Sequence, residues 1–269
     1  MRFFYLFIIV TILSSCNGDE TPEHDSSIET PHVSINEPQT ITYQVVNQFP
    51  HDTSAYTQGL EIHNGQLYES TGDYENSSLR ITDAKSGKVE KKHMMGSSEL
   101  FGEGITIFKN KIYQLTWESN IAYVYDIKNI EKPINTFKWP FEGWGITHDT
   151  AGLIISDGTA NLYFVDPNTF KVKSSIAVKD NHGPVEYLNE LEYVNGYVYA
   201  NVYQSNNIIK INPETGIVEG MVTFNGLMEQ SDYIPNRTDV LNGIAYDSIS
   251  KTFLITGKRW PKMFEIKLN

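Results

Sequence analysis

A carboxylate held between two glycines, Glu103 in Phe101-Gly102-Glu103-Gly104-Ile105, is the residue in this chain best suited to moving a proton. An aromatic ring precedes it and an apolar run, Ile105 to Phe108, follows. A carboxyl group against aromatic walls loses hydration, its pKa rises, and it can hold and release a proton near neutral pH. The flanking glycines let the backbone take unusual angles and let other groups come close. Other stretches open in the same way: Gln58-Gly59-Leu60-Glu61-Ile62, Trp144-Gly145-Ile146-Thr147-His148, Asn189-Glu190-Leu191-Glu192-Tyr193 and Asn242-Gly243-Ile244-Ala245-Tyr246. A carboxylate, three amides and an indole gathered in one place can hold a small amide-bearing group and transfer a proton. The same side chains could equally plug a channel, bonded to one another and to water.

The positioning elements follow from the spacing of these openings. From Gly59 the equivalent positions are Gly104, Gly145, Glu190 and Gly243, steps of 45, 41, 45 and 53 residues. A second strand-like run follows each opening, such as Lys111 to Leu115 or Tyr197 to Asn201, and then a third, such as Asn161 to Asp166. Asn64-Gly65, Lys109-Asn110 and Asn195-Gly196 supply hairpin turns, and Asp166-Pro167 and Asn212-Pro213 follow third strands. No stretch shows helical periodicity over three turns. Repeats of roughly 40–45 residues with four short strands each predict an all-β fold, a five-bladed β-propeller. The first strand of each blade then lines a central channel, so Gln58, Glu103, Trp144, Asn189 and Asn242 converge at one mouth.

The fifth repeat ends at Met263 to Leu268, its third strand, with no fourth. The alternating run Ile41 to Phe49 supplies the missing strand, closing the ring and hiding a pair of open edges. The expected propeller domain therefore spans residues 41–269. A hydrophobic content of 40% provides a large core, and the net charge of −12 argues against nucleic acid as partner.

Residues 1–15 read as a leader: Arg2, an apolar run from Phe3 to Leu13, then two small serines. This is too short for a membrane span of about 20 residues. The chain's one cysteine, Cys16, follows directly, and Leu13-Ser14-Ser15-Cys16 resembles a bacterial lipobox, with an ordinary secretory leader as the other reading. Residues 16–40, rich in Glu, Asp, Ser, Thr and Pro, are expected to form a flexible tether. Together these predict a protein lipid-anchored through Cys16 in a bacterial cell envelope, periplasmic or surface-exposed.

Several motifs, in order along the chain from about Tyr43 onward, resemble the plant- and bacterial-type glutaminyl-peptide cyclotransferases, of which the papaya latex enzyme is one. They include Tyr56-Thr57-Gln58-Gly59-Leu60, Phe101-Gly102-Glu103-Gly104-Ile105, Gln114-Leu115-Thr116-Trp117, Glu142-Gly143-Trp144-Gly145, Leu188-Asn189-Glu190-Leu191-Glu192 and Thr256-Gly257-Lys258-Arg259-Trp260-Pro261. The resemblance implies a five-bladed propeller that converts N-terminal glutamine of peptides or proteins to pyroglutamate with loss of ammonia. It implies no cofactor and no catalytic metal, and a monomer is expected. By position it assigns catalytic roles to Glu103, Gln58, Asn189 and Lys258, and an aromatic pocket to Phe101, Trp117 and Trp144. Tyr56 and Tyr203 are also expected to bind substrate, but they depart from the family pattern: they stand where Phe and Trp are common, keeping a ring but adding a hydroxyl that needs a partner.

The residue types suit that reaction. The α-amine attacks the side-chain amide carbon, and the expelled nitrogen must be protonated; one carboxyl can serve both transfers. Lys258 taken alone is more often a solvated surface group, and Trp139 and Trp260 fit core or rim equally. The chain has no Walker loop, GxSxG or HExxH, and its seven histidines lack metal-ligand spacing. A catalytically inactive propeller that binds peptides or proteins at the cell envelope is the principal alternative, and a metal-dependent lyase or lactonase of another propeller group a second.

Overall fold

The computed structural model describes residues 35–269. The leader, Cys16 and the tether through residue 34 lie outside the described residues. Within them, two single-turn 3-10 helices, Tyr74–Asn76 and Gln230–Asp232, interrupt an otherwise all-β chain. Five four-stranded antiparallel blades follow one another. Their inner strands are Thr57–His63, Gly102–Phe108, Ile146–His148, Leu188–Val194 and Leu241–Asp247, blades I to V respectively. Each inner strand packs against the next, and that of blade V against that of blade I, so the ring is closed.

Closure comes from the expected strand. Tyr43–Pro50 pairs antiparallel with Lys262–Leu268, from Tyr43 opposite Leu268 to Pro50 opposite Lys262, and completes blade V. The chain also joins the fold earlier than the sequence suggests. Gln39–Thr40 pairs parallel with Val218–Thr223 at the outer edge of blade IV, and Ile41 N donates to Met221 O at 2.8 Å. The tether expected to reach residue 40 is thus in regular structure over its last two residues. One segment covers part of the edge of blade IV and then pairs with Lys262–Leu268, covering the edge that blade V would otherwise leave open at its third strand.

Burial falls from the axis outward. All seven residues of Gly102–Phe108 are buried, whereas Lys88–Met94, the outermost strand of blade I, has none. Inner strands are therefore built mostly of apolar and uncharged residues, and outer strands can carry Lys88, Glu90, Lys91 and Lys92. The core is divided among the seams. Ile81, Ile105 and Tyr125 join blades I and II. Phe108, Trp139 and Phe170 join II and III, and Ile154 and Ile209 join III and IV. Ile208 and Phe264 join IV and V, and Leu60 and Leu254 join V to I. Each seam is apolar burial at about 25 cal/mol per Å², so no blade has a core without its neighbours.

The recurring glycine has its reason here. A Cβ added at Gly59 would collide with Ile105 N of the next inner strand, one at Gly104 with Trp144 O, and one at Gly145 with Asn189 O. Neither Gly102 nor Gly104 takes a left-handed φ. The expectation of unusual backbone angles is not met at these two positions; close approach is what the glycines provide.

Candidate active site

Four of the five inner strands carry one residue more than their partners near their N-terminal ends. The register slips between Thr57 and Gly59, Gly102 and Ile105, Leu188 and Leu191, and Leu241 and Ile244. The unpaired positions contain Gln58, Glu103, Asn189 and Asn242. A bulged residue is released from strict in–out alternation and the strand bends there, which re-aims its side chain. In blade III the equivalent pair, Trp144-Gly145, lies just before the inner strand and is held by Ser156, whose N donates to Gly145 O at 2.9 Å.

These bends gather the site. A cavity of about 200 Å³ is lined by Tyr56, Gln58, Phe101, Glu103, Trp117, Trp144, Asn189, Tyr203 and Lys258. These are the nine residues assigned a catalytic or substrate-binding role from the sequence. Asn242 also reaches this end of the channel but stands behind the lining. Its Nδ2 donates to Thr57 O at 3.0 Å and to Gln58 Oε1 at 3.3 Å, and Gln58 Nε2 donates to Glu103 Oε1 at 3.0 Å. The amides thereby fix the orientation of the carboxyl group.

Glu103 is 5% exposed. Desolvation pushes its pKa well above the ordinary carboxylate value; Lys258 pulls it down, and Glu142 adds an upward push. Lys258 is 2% exposed, with Nζ 4.8 Å from the Tyr56 ring centroid and 4.7 Å from that of Tyr203. Desolvation lowers its pKa, against the opposing pull of Glu103 and Asp239. Held between two π faces it is no solvated surface lysine. Asn189 is buried, and its Oδ1 has no hydrogen-bond partner among the described residues. A buried amide oxygen without a partner is costly unless something else fills the place.

The walls are aromatic. Phe101 meets Tyr56 edge-on at 5.9 Å and Trp117 at 5.7 Å, and Trp144 meets Tyr203 at 5.6 Å. Gly158, with φ of +80°, lets the Trp144 indole lie against its backbone, where a Cβ would be only 2.6 Å from the ring. The added hydroxyl of Tyr56 does find a partner, donating to Asp239 Oδ2 at 3.0 Å. Trp139 and Trp260 are core residues, 1% and 5% exposed.

Sequence reasoning missed two residues. Asp239 fixes Tyr56 and faces Lys258 from a loop without any motif. Glu142 Oε2 accepts from Trp117 Nε1 at 2.7 Å and from Trp144 Nε1 at 2.9 Å. Its proximity to Trp144 in the sequence was the available signal; its bond to Trp117 of the preceding blade left none.

The family model described as glutamine cyclotransferase matches residues 17–268. The chain belongs to the glutamine cyclotransferase family. It is 43% identical over 228 residues to a glutaminyl-peptide cyclotransferase of Arabidopsis thaliana, covering 84% of this chain and 71% of that protein. Its structure resembles the crystal structure of Myxococcus xanthus glutaminyl cyclase with a TM-score of 0.80 and 33% identity, over 87% of this chain and 99% of that one.

Proposed function

We propose that this protein is a glutaminyl-peptide cyclotransferase in which Glu103 carries the proton through both halves of the reaction. The observation behind this is the placing of one buried carboxyl group, oriented by Gln58 and desolvated, at the centre of an aromatic cavity. The neutral α-amine of an N-terminal glutamine attacks its own side-chain amide carbon. Glu103 takes the proton that the amine sheds as the ring C–N bond forms. It then delivers that proton to the amide nitrogen, which leaves as ammonia as the old C–N bond breaks. No proton is gained or lost overall. Such acid–base help is worth about 10²–10⁴ in rate.

Asn189 and Lys258 donate to the oxyanion of the tetrahedral intermediate, a role worth about 10²–10³ for a single donor. Gln58 orients the reacting amine. Phe101, Trp117, Trp144, Tyr56 and Tyr203 exclude water and hold the flexible side chain folded for ring closure, where orientation itself supplies much of the rate. The lining residues include one carboxylate and neither His nor Cys, a donor set poorly suited to a catalytic divalent ion. The chemistry is accordingly assigned to these side chains without a metal.

The test is to incubate the purified protein with a peptide bearing N-terminal glutamine, with and without a chelator, and follow ammonia. Release well above the spontaneous rate and unaffected by chelator is expected. Binding of the peptide with no release would make it an inactive binding module, and loss of activity on chelation would overturn the metal-independent scheme. On the strength of Leu13-Ser14-Ser15-Cys16, we further propose that Cys16 is lipidated and holds the enzyme in a bacterial cell envelope. Cys16→Ser should shift the protein from the membrane to the soluble fraction; retention at the membrane would refute the anchor.

A further inference from the structure

Glu142 lies outside the lining of the cavity, on the loop between Asn135–Lys138 of blade II and the inner strand of blade III, and it is exposed. Three of the chain's four tryptophans nevertheless donate to it. Trp139, buried in the seam between blades II and III, donates its Nε1 to the Glu142 backbone carbonyl at 3.0 Å. Trp117 and Trp144, from different blades, donate to one side-chain oxygen, Oε2. The loop backbone is fixed from both sides: Asn120 Nδ2 donates to Phe141 O at 2.7 Å, and Gly143 N to Thr116 O at 3.2 Å.

An indole has one donor and no acceptor, so a single bond at its polar edge sets how the ring is turned. Two indoles bonded to one oxygen are set relative to each other. Their other edges already rest on fixed neighbours, Phe101 for Trp117 and Tyr203 for Trp144. The carboxylate therefore removes the remaining freedom of both rings, and the core tryptophan removes that of the carboxylate's own backbone.

We propose that Glu142 is a positioning residue for the cyclisation, clamping Trp117 and Trp144 as a fixed pair of walls that hold the glutaminyl side chain folded onto its own amine. This rests on the cyclotransferase reading of the site. Glu142 touches neither the reacting atoms nor the proton. Its negative charge also acts on Glu103 across the site, in the direction that favours the protonated carboxyl.

Two substitutions separate clamp from charge. Glu142→Gln keeps an oxygen able to accept from both indoles; Glu142→Ala removes it. For Glu142→Ala, kcat/KM for a glutaminyl peptide should fall by about 10²-fold, the cost of a misplacement near 1 Å. Its tryptophan fluorescence should become more accessible to acrylamide. For Glu142→Gln, quenching should match wild type and kcat/KM should stay within a few-fold at the optimum, with the limb of the pH profile belonging to Glu103 displaced to lower pH. Equal loss in both variants would show charge rather than clamping and overturn the proposal, as would wild-type kinetics and quenching in Glu142→Ala. Should Glu142→Ala fail to fold, Trp144→Phe, which deletes one donor and keeps a ring, must raise KM more than it lowers kcat; unchanged KM overturns the proposal. Quenching is read without turnover, so a wild-type protein that releases no ammonia would count against the cyclotransferase reading and leave the clamp itself to be judged.

Discussion

Glu103 and Glu190 are both buried in the bulges of inner strands, and desolvation raises both well above the ordinary carboxylate range. They differ in what they touch. Glu190 sits where blades I, II, III and V have glycine, and its two oxygens reach the inner strands of blades I and V, accepting from Leu60 N at 3.1 Å and Ile244 N at 2.8 Å. Glu61 and Glu192, further along the channel, do likewise toward Ile107 N and Tyr246 N. The larger cavity at that end, about 550 Å³, thus has its three carboxylates, Glu61, Glu192 and Asp149, all engaged with backbone. Glu103, one residue earlier in the repeat than Glu190, accepts from the Gln58 side-chain amide and faces the aromatic cavity. A one-residue offset along a strand changes the face a side chain occupies. The same residue type at the same depth is structural at one position and available for chemistry at the other.

The comparison breaks most visibly at Glu103. Glu103→Gln should lower kcat by roughly 10²–10⁴ and leave the melting temperature nearly unchanged. Glu190→Leu should do the converse, leaving two buried N–H groups without acceptors at about 1–3 kcal/mol each while lowering kcat far less. Matched kinetics and thermal melts check both, and a pair of variants that lose stability alike with no gap in rate would erase the distinction. Asn189→Ala should follow with a loss of about 10²–10³ in kcat, with KM moved less; a change confined to KM would remove it from the oxyanion site.

A smaller, pH-dependent effect lies behind the cavity. His51 Nδ1 faces Trp260 O at 2.8 Å and its Nε2 faces Glu69 Oε1 at 2.9 Å. Two acceptors require both ring nitrogens to carry protons. Burial alone would lower the His51 pKa, but the Glu69 charge and these bonds raise it; burial alone would raise the Glu69 pKa, but His51 and Arg80 lower it. The histidine's contribution is therefore complete below its ordinary pKa near 6.5 and is lost as pH rises through the raised value. That of Glu69 is present above its ordinary value and lost as pH falls through the lowered one. Melting temperature should decline as pH rises above the ordinary histidine value in wild type and flatten over that range in His51→Gln, with an unchanged slope counting against a charged His51.

Much of this was legible in the sequence. The period of the openings and the missing fourth strand led to five blades and to closure by the segment before Pro50. Position in the ring, together with the family motifs, led to all nine lining residues. What was not legible depends on contacts between blades. Glycine at Gly104 was read both as freedom of angle and as room for a close neighbour; only the second holds, and that the neighbour is the backbone of Trp144 was not legible. Gln39–Thr40 carries too short and too polar a pattern to announce a strand, since a parallel partner on blade IV supplies its hydrogen bonds. Glu142 and Asp239 lie on loops, where no periodicity states which way a side chain turns.

The central claim, that one carboxyl both accepts the amine proton and hands it to the departing nitrogen, is tested most directly by changing the leaving group. A peptide whose N-terminal residue is the γ-aryl ester of glutamate cyclises with loss of a phenolate that needs no proton. With spontaneous cyclisation subtracted, the deficit of Glu103→Gln relative to wild type should shrink by at least about tenfold on passing from the glutaminyl peptide to this ester, because only the base half of the role remains. An equal deficit on both substrates would contradict the account, since Glu103 would then contribute nothing to expelling ammonia.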